Sequence, residues 1–122
     1  MKALSLTQPW ASLVAHGLKR WETRSWNTHY RGPLAIHAAK GFPRYERDLV
    51  TDCRIFREAL ARIGISEPGD LPLGCIVAVA RISVTATISC GLPASHTAQE
   101  IAFGDYATGR WMWRLDEVRA VE

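Results

Sequence analysis

Cysteine is scarce and unpaired in this 122-residue chain: Cys53, Cys75 and Cys90 are odd in number and form no C-x-x-C. That excludes a disulfide framework and a thiolate zinc site, and it predicts a reducing, cytoplasmic setting. No apolar run approaches the roughly 20 residues a membrane helix needs, and the opening "KALSLTQPW" has no basic-plus-apolar targeting region, so no membrane association is expected. His16, His29 and His96 lie far apart without H-x-x-x-H spacing, so no metal is expected either. Also missing are G-x-x-x-x-G-K-[ST], G-x-G-x-x-G and G-x-S-x-G, which argues against nucleotide hydrolysis, dinucleotide redox chemistry and α/β-hydrolase catalysis; no cofactor is expected. No repeat, linker or low-complexity stretch interrupts the chain, and its length predicts one domain over residues 1–122.

What is present is the composition of a folded globular protein, 48% hydrophobic and 22% charged, with no sign of disorder. The net charge of +3 permits a nucleic-acid partner but is far below the density of a DNA-coating protein. The cations are uneven. Lys19, Arg20, Arg24, Arg31, Lys40, Arg44 and Arg47 crowd the first half, which predicts a basic face there.

Local patterning predicts an α+β domain. Residues 2–6 read as a strand, and Pro9 suits the first position of a short helix capped by Thr7 or Gln8, with Trp10, Leu13 and Val14 on one face and Gly17 as its stop. Residues 20–26 favour an extended segment, "RGP" (31–33) a turn, and "PLAIHAAK" a buried strand. Apolar residues recurring from Tyr45 to Ile63 predict the longest helix, ended by Gly64. Residues 75–88 are too β-branched and too long for a flat strand, and a bend is expected. Thr97 and Glu100 have capping-box spacing, and "RWMWRLDEV" (110–118) alternates as a half-buried strand in which Trp111 and Trp113 read as core. Strands of this length with two or three helices suit a small β-barrel, although the pattern alone does not specify topology.

The stretch "GLKRWETRSW" (17–26) holds three cations, one carboxylate and two tryptophans, a mixture suited to one polar, planar ligand. Lys19 at a helix end either offsets the helix dipole or, partly buried beside Arg20 or Arg24, serves as a proton acceptor. Glu22 suits proton transfer or a structural ion pair; on a regular strand it would face away from Lys19, so their meeting requires a bend. Arg24 has the donor fork to hold a carbonyl or phosphate, and Thr23 the hydroxyl of a nucleophile. Among Trp10, Trp21 and Trp26, one is expected to stack on the ligand; His37 and Lys40 end a strand where they would reach a cleft mouth, although His37 also reads as a hydrogen-bonded core residue.

The run "LSLTQPWASLVAHGLKRWETRSW" resembles the ASCH domain family, relatives of the PUA RNA-binding domain. The family's G-x-K-x-x-E-x-R pattern stands here as Gly17, Lys19, Glu22 and Arg24, and "GPLAIHAAK", "LPLGCIVAVARI" and "FGDYATGRWMW" extend the likeness over nearly the whole chain. The resemblance implies a PUA-like small β-barrel with the motif lining a cleft, and RNA or nucleotide-derivative chemistry. One bacterial branch of the family removes the acyl group of N4-acetylcytidine with a lysine, a threonine nucleophile and a glutamate. On that pattern Lys19 matches the lysine, Glu22 stands where the branch has threonine, and Leu92, His96, Gln99 and Glu100 share the branch's spacing, making Glu100 a candidate for its glutamate.

The expected function is therefore an amidohydrolase acting on N4-acylcytidine-type nucleosides. Lys19, Glu22, Thr23 and Glu100 are its catalytic candidates. Trp10, Trp21, Arg24, Trp26, His37, Lys40 and Tyr106 are its substrate-binding candidates. Either Thr23 takes over as nucleophile or Glu22 activates water, while Arg24 and backbone N–H groups hold the oxyanion. The alternatives are a reader of modified bases in RNA and a metal-independent ribonuclease using the same cleft. The expected partner is a modified cytosine nucleoside or RNA.

Overall fold

The computed structural model describes residues 1–89 and 96–121. Its strands are β1 (Lys2–Leu6), β2 (Trp21–Arg24), β3 (Pro33–Ala38), β4 (Cys75–Thr87) and β5 (Trp111–Ala120); its helices are α1 (Trp10–Ala15), α2 (Arg44–Asp52), α3 (Arg54–Ala61) and α4 (Ala98–Phe103). The strands form one sheet in the order β1-β3-β4-β5-β2, with β1 and β3 parallel and the other pairs antiparallel. The bend expected in residues 75–88 is two register shifts of β4 against β5, at Val79/Arg81 and Ile82/Val84, and they curl the sheet into the half-barrel of a PUA-like α+β fold. Cys90 and Leu92 lie outside the described residues.

Helix α1 is the piece around which the domain is packed. Ala11, Val14 and Ala15 bury against Leu4, Ile36, Ala78, Trp113 and Leu115 of the sheet, whereas Leu13 joins Val50, Phe56, Leu60 and Phe103 in a second core. The single apolar face read from Trp10, Leu13 and Val14 is thus replaced by burial on both sides. The helix starts after Pro9, one residue later than expected, and Pro9 has no side chain to cap it. The fully buried Gln8 does so from just outside: its Oε1 accepts from the first-turn Ser12 N–H at 3.0 Å, and its Nε2 donates to the Ser12 hydroxyl and the Pro72 carbonyl, both at 2.9 Å.

The expected long helix is two. Cys53 adopts an extended conformation between α2 and α3, raising the helix count from the expected two or three to four among the described residues. On one continuous helix, Val50 and Phe56 would point about 120° apart. The break lets both enter the second core.

Gly17 ends α1 with φ +74°, and a methyl group there would meet nothing within 4 Å. Gly17→Ala is therefore expected to cost about 1 kcal/mol through backbone strain alone, read as a lower urea midpoint with unchanged m-value.

Candidate functional site

The turn at Gly17 explains how Lys19 reaches Glu22. Leu18 and Lys19 both donate their N–H groups to the Leu13 carbonyl, so Lys19 still belongs to the helix end, and β2 begins only at Trp21. Regular strand alternation does not apply to the pair. The Lys19 side chain is 1% exposed and that of Glu22 10%; Nζ stands 3.4 Å from Glu22 Oε1 and also donates to the Trp21 carbonyl. Glu22 Oε1 accepts from the Thr23 N–H at 3.1 Å, and Oε2 accepts from Arg24 Nη2 at 3.1 Å. Arg24 Nη2 also donates to the Ser5 carbonyl at 3.0 Å, tying β2 to β1, while Arg24 Nε is buried without a partner.

This network forms part of the wall of a cavity of about 430 Å³. Glu22, Thr23 and Arg24 line one side, Ser5, Thr7 and Trp10 another, and Phe103, Gly104 and Asp105 a third. The volume lies within the range of small-ligand sites. The Thr23 hydroxyl accepts from the Asp105 N–H at 3.2 Å, and Trp10 Nε1 donates to the Phe103 carbonyl at 2.7 Å. Lys19 does not line the cavity. It acts on whatever enters only through Glu22.

A second cavity, about 210 Å³, opens at the other end of β2 and is lined by Arg20, Trp21, Thr97, Gln99, Glu100 and Arg114, among others. The Thr97 hydroxyl accepts from the Glu100 N–H at 3.1 Å, as capping requires, yet the reciprocal half of the capping box is not made. Glu100 Oε1 accepts instead from the Arg20 N–H, while Gln99 Nε2 donates to the Leu18 carbonyl at 3.0 Å. Glu100 thus adjoins the motif from 80 residues away.

Behind it, Tyr106 packs edge-on to His96 with centroids 5.2 Å apart, and His96 stacks on Trp21 at 4.8 Å. Burial, with the negative charges of Glu100 and Glu22, raises the Tyr106 hydroxyl pKa far above its usual range; Glu100 is near without meeting hydrogen-bond geometry. Burial likewise lowers the His96 pKa, against the opposing pull of Glu100. The Tyr106 hydroxyl, Glu100 Oε2 and both His96 nitrogens have no hydrogen-bond partner among the described residues.

The site candidates therefore separate. Glu22, Thr23, Arg24 and Trp10 meet in the larger cavity, Trp21 and Glu100 in the smaller, with Lys19 buried and Tyr106 half-buried beside them. The other three stand outside both. Trp26 lies half-exposed against Trp113 at 4.8 Å, His37 Nδ1 bonds the Ser5 hydroxyl at 3.0 Å, and Lys40 lies over Gly74. Sequence reading missed Ser5, Thr7 and Asp105 in the first cavity and Gln99 and Arg114 as lining of the second. Gln99 carried only its spacing beside Glu100, and the others carry no local signal, because each is brought in by pairing or packing of distant segments.

Among the described residues, no His, Cys, Asp and Glu side chains gather as a metal site needs, and no helix is long and apolar enough to cross a membrane.

A family model described as the ASCH domain matches residues 4–114. Activating signal cointegrator 1 of Homo sapiens is 41% identical over 76 residues, covering 61% of this chain and 12% of that protein. Its Mus musculus counterpart is 39% identical over 74 residues, with the same coverage. The chain thus corresponds to a small part of these much longer relatives.

Proposed function

Taking as premise that the chain belongs to the ASCH domain family, a PUA-like fold with RNA-related function, we propose that the larger cavity binds a nucleobase, either within RNA or as a nucleoside. The observation that carries this is the Glu22–Arg24 pair in the cavity wall. Glu22 has three donors on its two oxygens and an acceptor position left over; Arg24 uses Nη2 alone, keeping Nη1 and Nε. A carboxylate beside a guanidinium complements a base edge that presents an amino donor next to a ring acceptor, as cytosine and adenine do. Trp10 supplies the aromatic wall for the base plane.

A second reading, deacylation of N4-acylcytidine, is favoured by the buried Lys19–Glu22 pair beside the Thr23 hydroxyl. In it, water or Thr23 Oγ1 attacks the acyl carbonyl carbon and Glu22 takes the nucleophile's proton. Arg24 steadies the oxyanion. The C–N bond then breaks as N4 gains a proton, releasing cytidine and the carboxylic acid; from Thr23 the acid leaves after hydrolysis of an acyl-enzyme. Lys19 holds the Glu22 carboxylate in place through the 3.4 Å contact to Oε1. Glu100, across β2, is a positioning residue through the Arg20 N–H.

Tryptophan fluorescence titrations with cytidine and N4-acetylcytidine, run beside chromatographic detection of cytidine release, test both readings. Binding that Glu22→Gln weakens supports the base site. Release that Glu22→Gln abolishes in the folded variant supports the amidohydrolase, binding without release supports a reader, and no binding of either nucleoside or of RNA overturns the proposal.

A further inference from the structure

We propose that the smaller cavity is a second subsite, which takes the ribose phosphate of the nucleotide adjoining the base held by Glu22 and Arg24; this rests on the nucleobase reading above. The two cavities lie at opposite ends of one seam. The larger touches Glu22–Arg24 of β2 and Ala102–Gly104 at the end of α4, and the smaller touches Trp21 of β2 and Thr97, Gln99 and Glu100 at its start. Along the strand, Trp21 and Arg24 are about 10 Å apart, and along the helix Gln99 and Phe103 about 6 Å apart. Neighbouring units of one extended chain span such a separation.

The lining has the chemistry of a sugar phosphate. The Arg114 guanidinium lies over the Trp21 ring, 5.6 Å from its centroid, and its Nε is held by Asp116 Oδ1 at 3.2 Å. Its two Nη groups make no hydrogen bond among the described residues, and neither does the side chain of exposed Arg20. Both positive charges reach Asp116 and, together with the Ser83 hydroxyl, which contributes most, hold its carboxyl below the usual range. Asp116 therefore stays ionised and fixes Arg114 in place.

Against these donors stands Glu100 Oε2, buried and without a partner. A simple anion would meet that carboxylate unfavourably. A group anionic at one end and hydroxylated at the other satisfies both sides: phosphate oxygens on the guanidinium groups, and the 2′-hydroxyl donating to Glu100. At about 210 Å³, against about 430 Å³ for its neighbour, the cavity is shaped for a sugar phosphate rather than a second base. The ligand is therefore a strand of RNA, and the domain distinguishes it from DNA.

Fluorescence anisotropy with a short single-stranded oligoribonucleotide and its deoxyribose counterpart, with cytidine as competitor, tests this on the whole chain. The ribose strand is expected to bind roughly five- to tenfold tighter than the deoxyribose strand, and Glu100→Gln to erase most of that ratio. Arg20→Ala and Arg114→Ala should each weaken strand binding several-fold and lower the salt slope by about 0.7, leaving cytidine competition at its own site unchanged. Because Arg20 is exposed, its variant reads binding without a folding defect. Unchanged affinity and slope in both arginine variants, or equal binding of RNA and DNA, would overturn the subsite while leaving the base site standing if Arg24→Ala still weakens nucleoside binding. If instead Arg24→Ala binds normally and the arginine variants do not, the base reading fails and the phosphate contacts remain.

Discussion

Glu22→Ala is expected to lower the unfolding free energy by about 3 kcal/mol or more, the largest effect of any substitution in the motif. The change strands the Lys19 ammonium, whose side chain is 1% exposed, with the Trp21 carbonyl as its remaining partner. Removing one member of a buried ion pair costs about 3–5 kcal/mol, since the surviving charge is left out of water without its counter-ion. The Thr23 N–H and Arg24 Nη2 lose an acceptor as well. For a domain of this size the melting temperature should fall by roughly 10 °C, measurable by calorimetry. Glu22→Gln keeps the shape and an acceptor oxygen and should lose less. The double variant Lys19→Met/Glu22→Leu removes both charges and is expected to recover most of the stability but none of the ligand binding. A single variant as stable as the parent would show that the pair contributes nothing to the fold.

Arg24→Ala should weaken nucleoside binding by roughly 10- to 100-fold, the ordinary worth of a hydrogen bond to a charged group. The side chain is 27% exposed and lines the larger cavity, so its loss is mainly a loss of recognition. Arg24→Lys tests the geometry. It keeps the charge near Glu22 but has no planar fork, and it should recover only a small part of the affinity. Because Arg24 also bridges to the Ser5 carbonyl, a unfolding curve must accompany each titration. A folded Arg24→Ala variant that binds as the parent does would remove the base site from this cavity.

Much of the fold was legible locally. Alternation placed β1, β3 and β5, the β-branched run placed a bent β4, and Gly17 and Gly64 take positive φ where helix stops were read. The continuous helix over residues 45–63 was not borne out. Its apolar spacing is compatible with one helix, and only the demand that both Val50 and Phe56 face one core selects the break at Cys53. The site divides in the same way. Lys19, Glu22 and Arg24 were legible because they sit within six residues and their chemistry is complementary, but the strand rule put Lys19 and Glu22 on opposite faces. The helix-end geometry of Leu18 and Lys19 removes that conflict.

The α+β character, the principal strands, the turn at Gly17 and the membership of the motif follow from local sequence, because backbone preference and period are properties of neighbours along the chain. Long-range packing is what brings Glu100 to the Arg20 N–H, sends Trp10 and Trp21 to different cavities and Trp26 to neither, and buries Lys19 behind Glu22 rather than exposing it in the cleft. Those outcomes depend on how the sheet curls and where α1 and α4 pack against it. No local pattern carries that information, because the energies that settle it come from contacts between residues far apart in the chain.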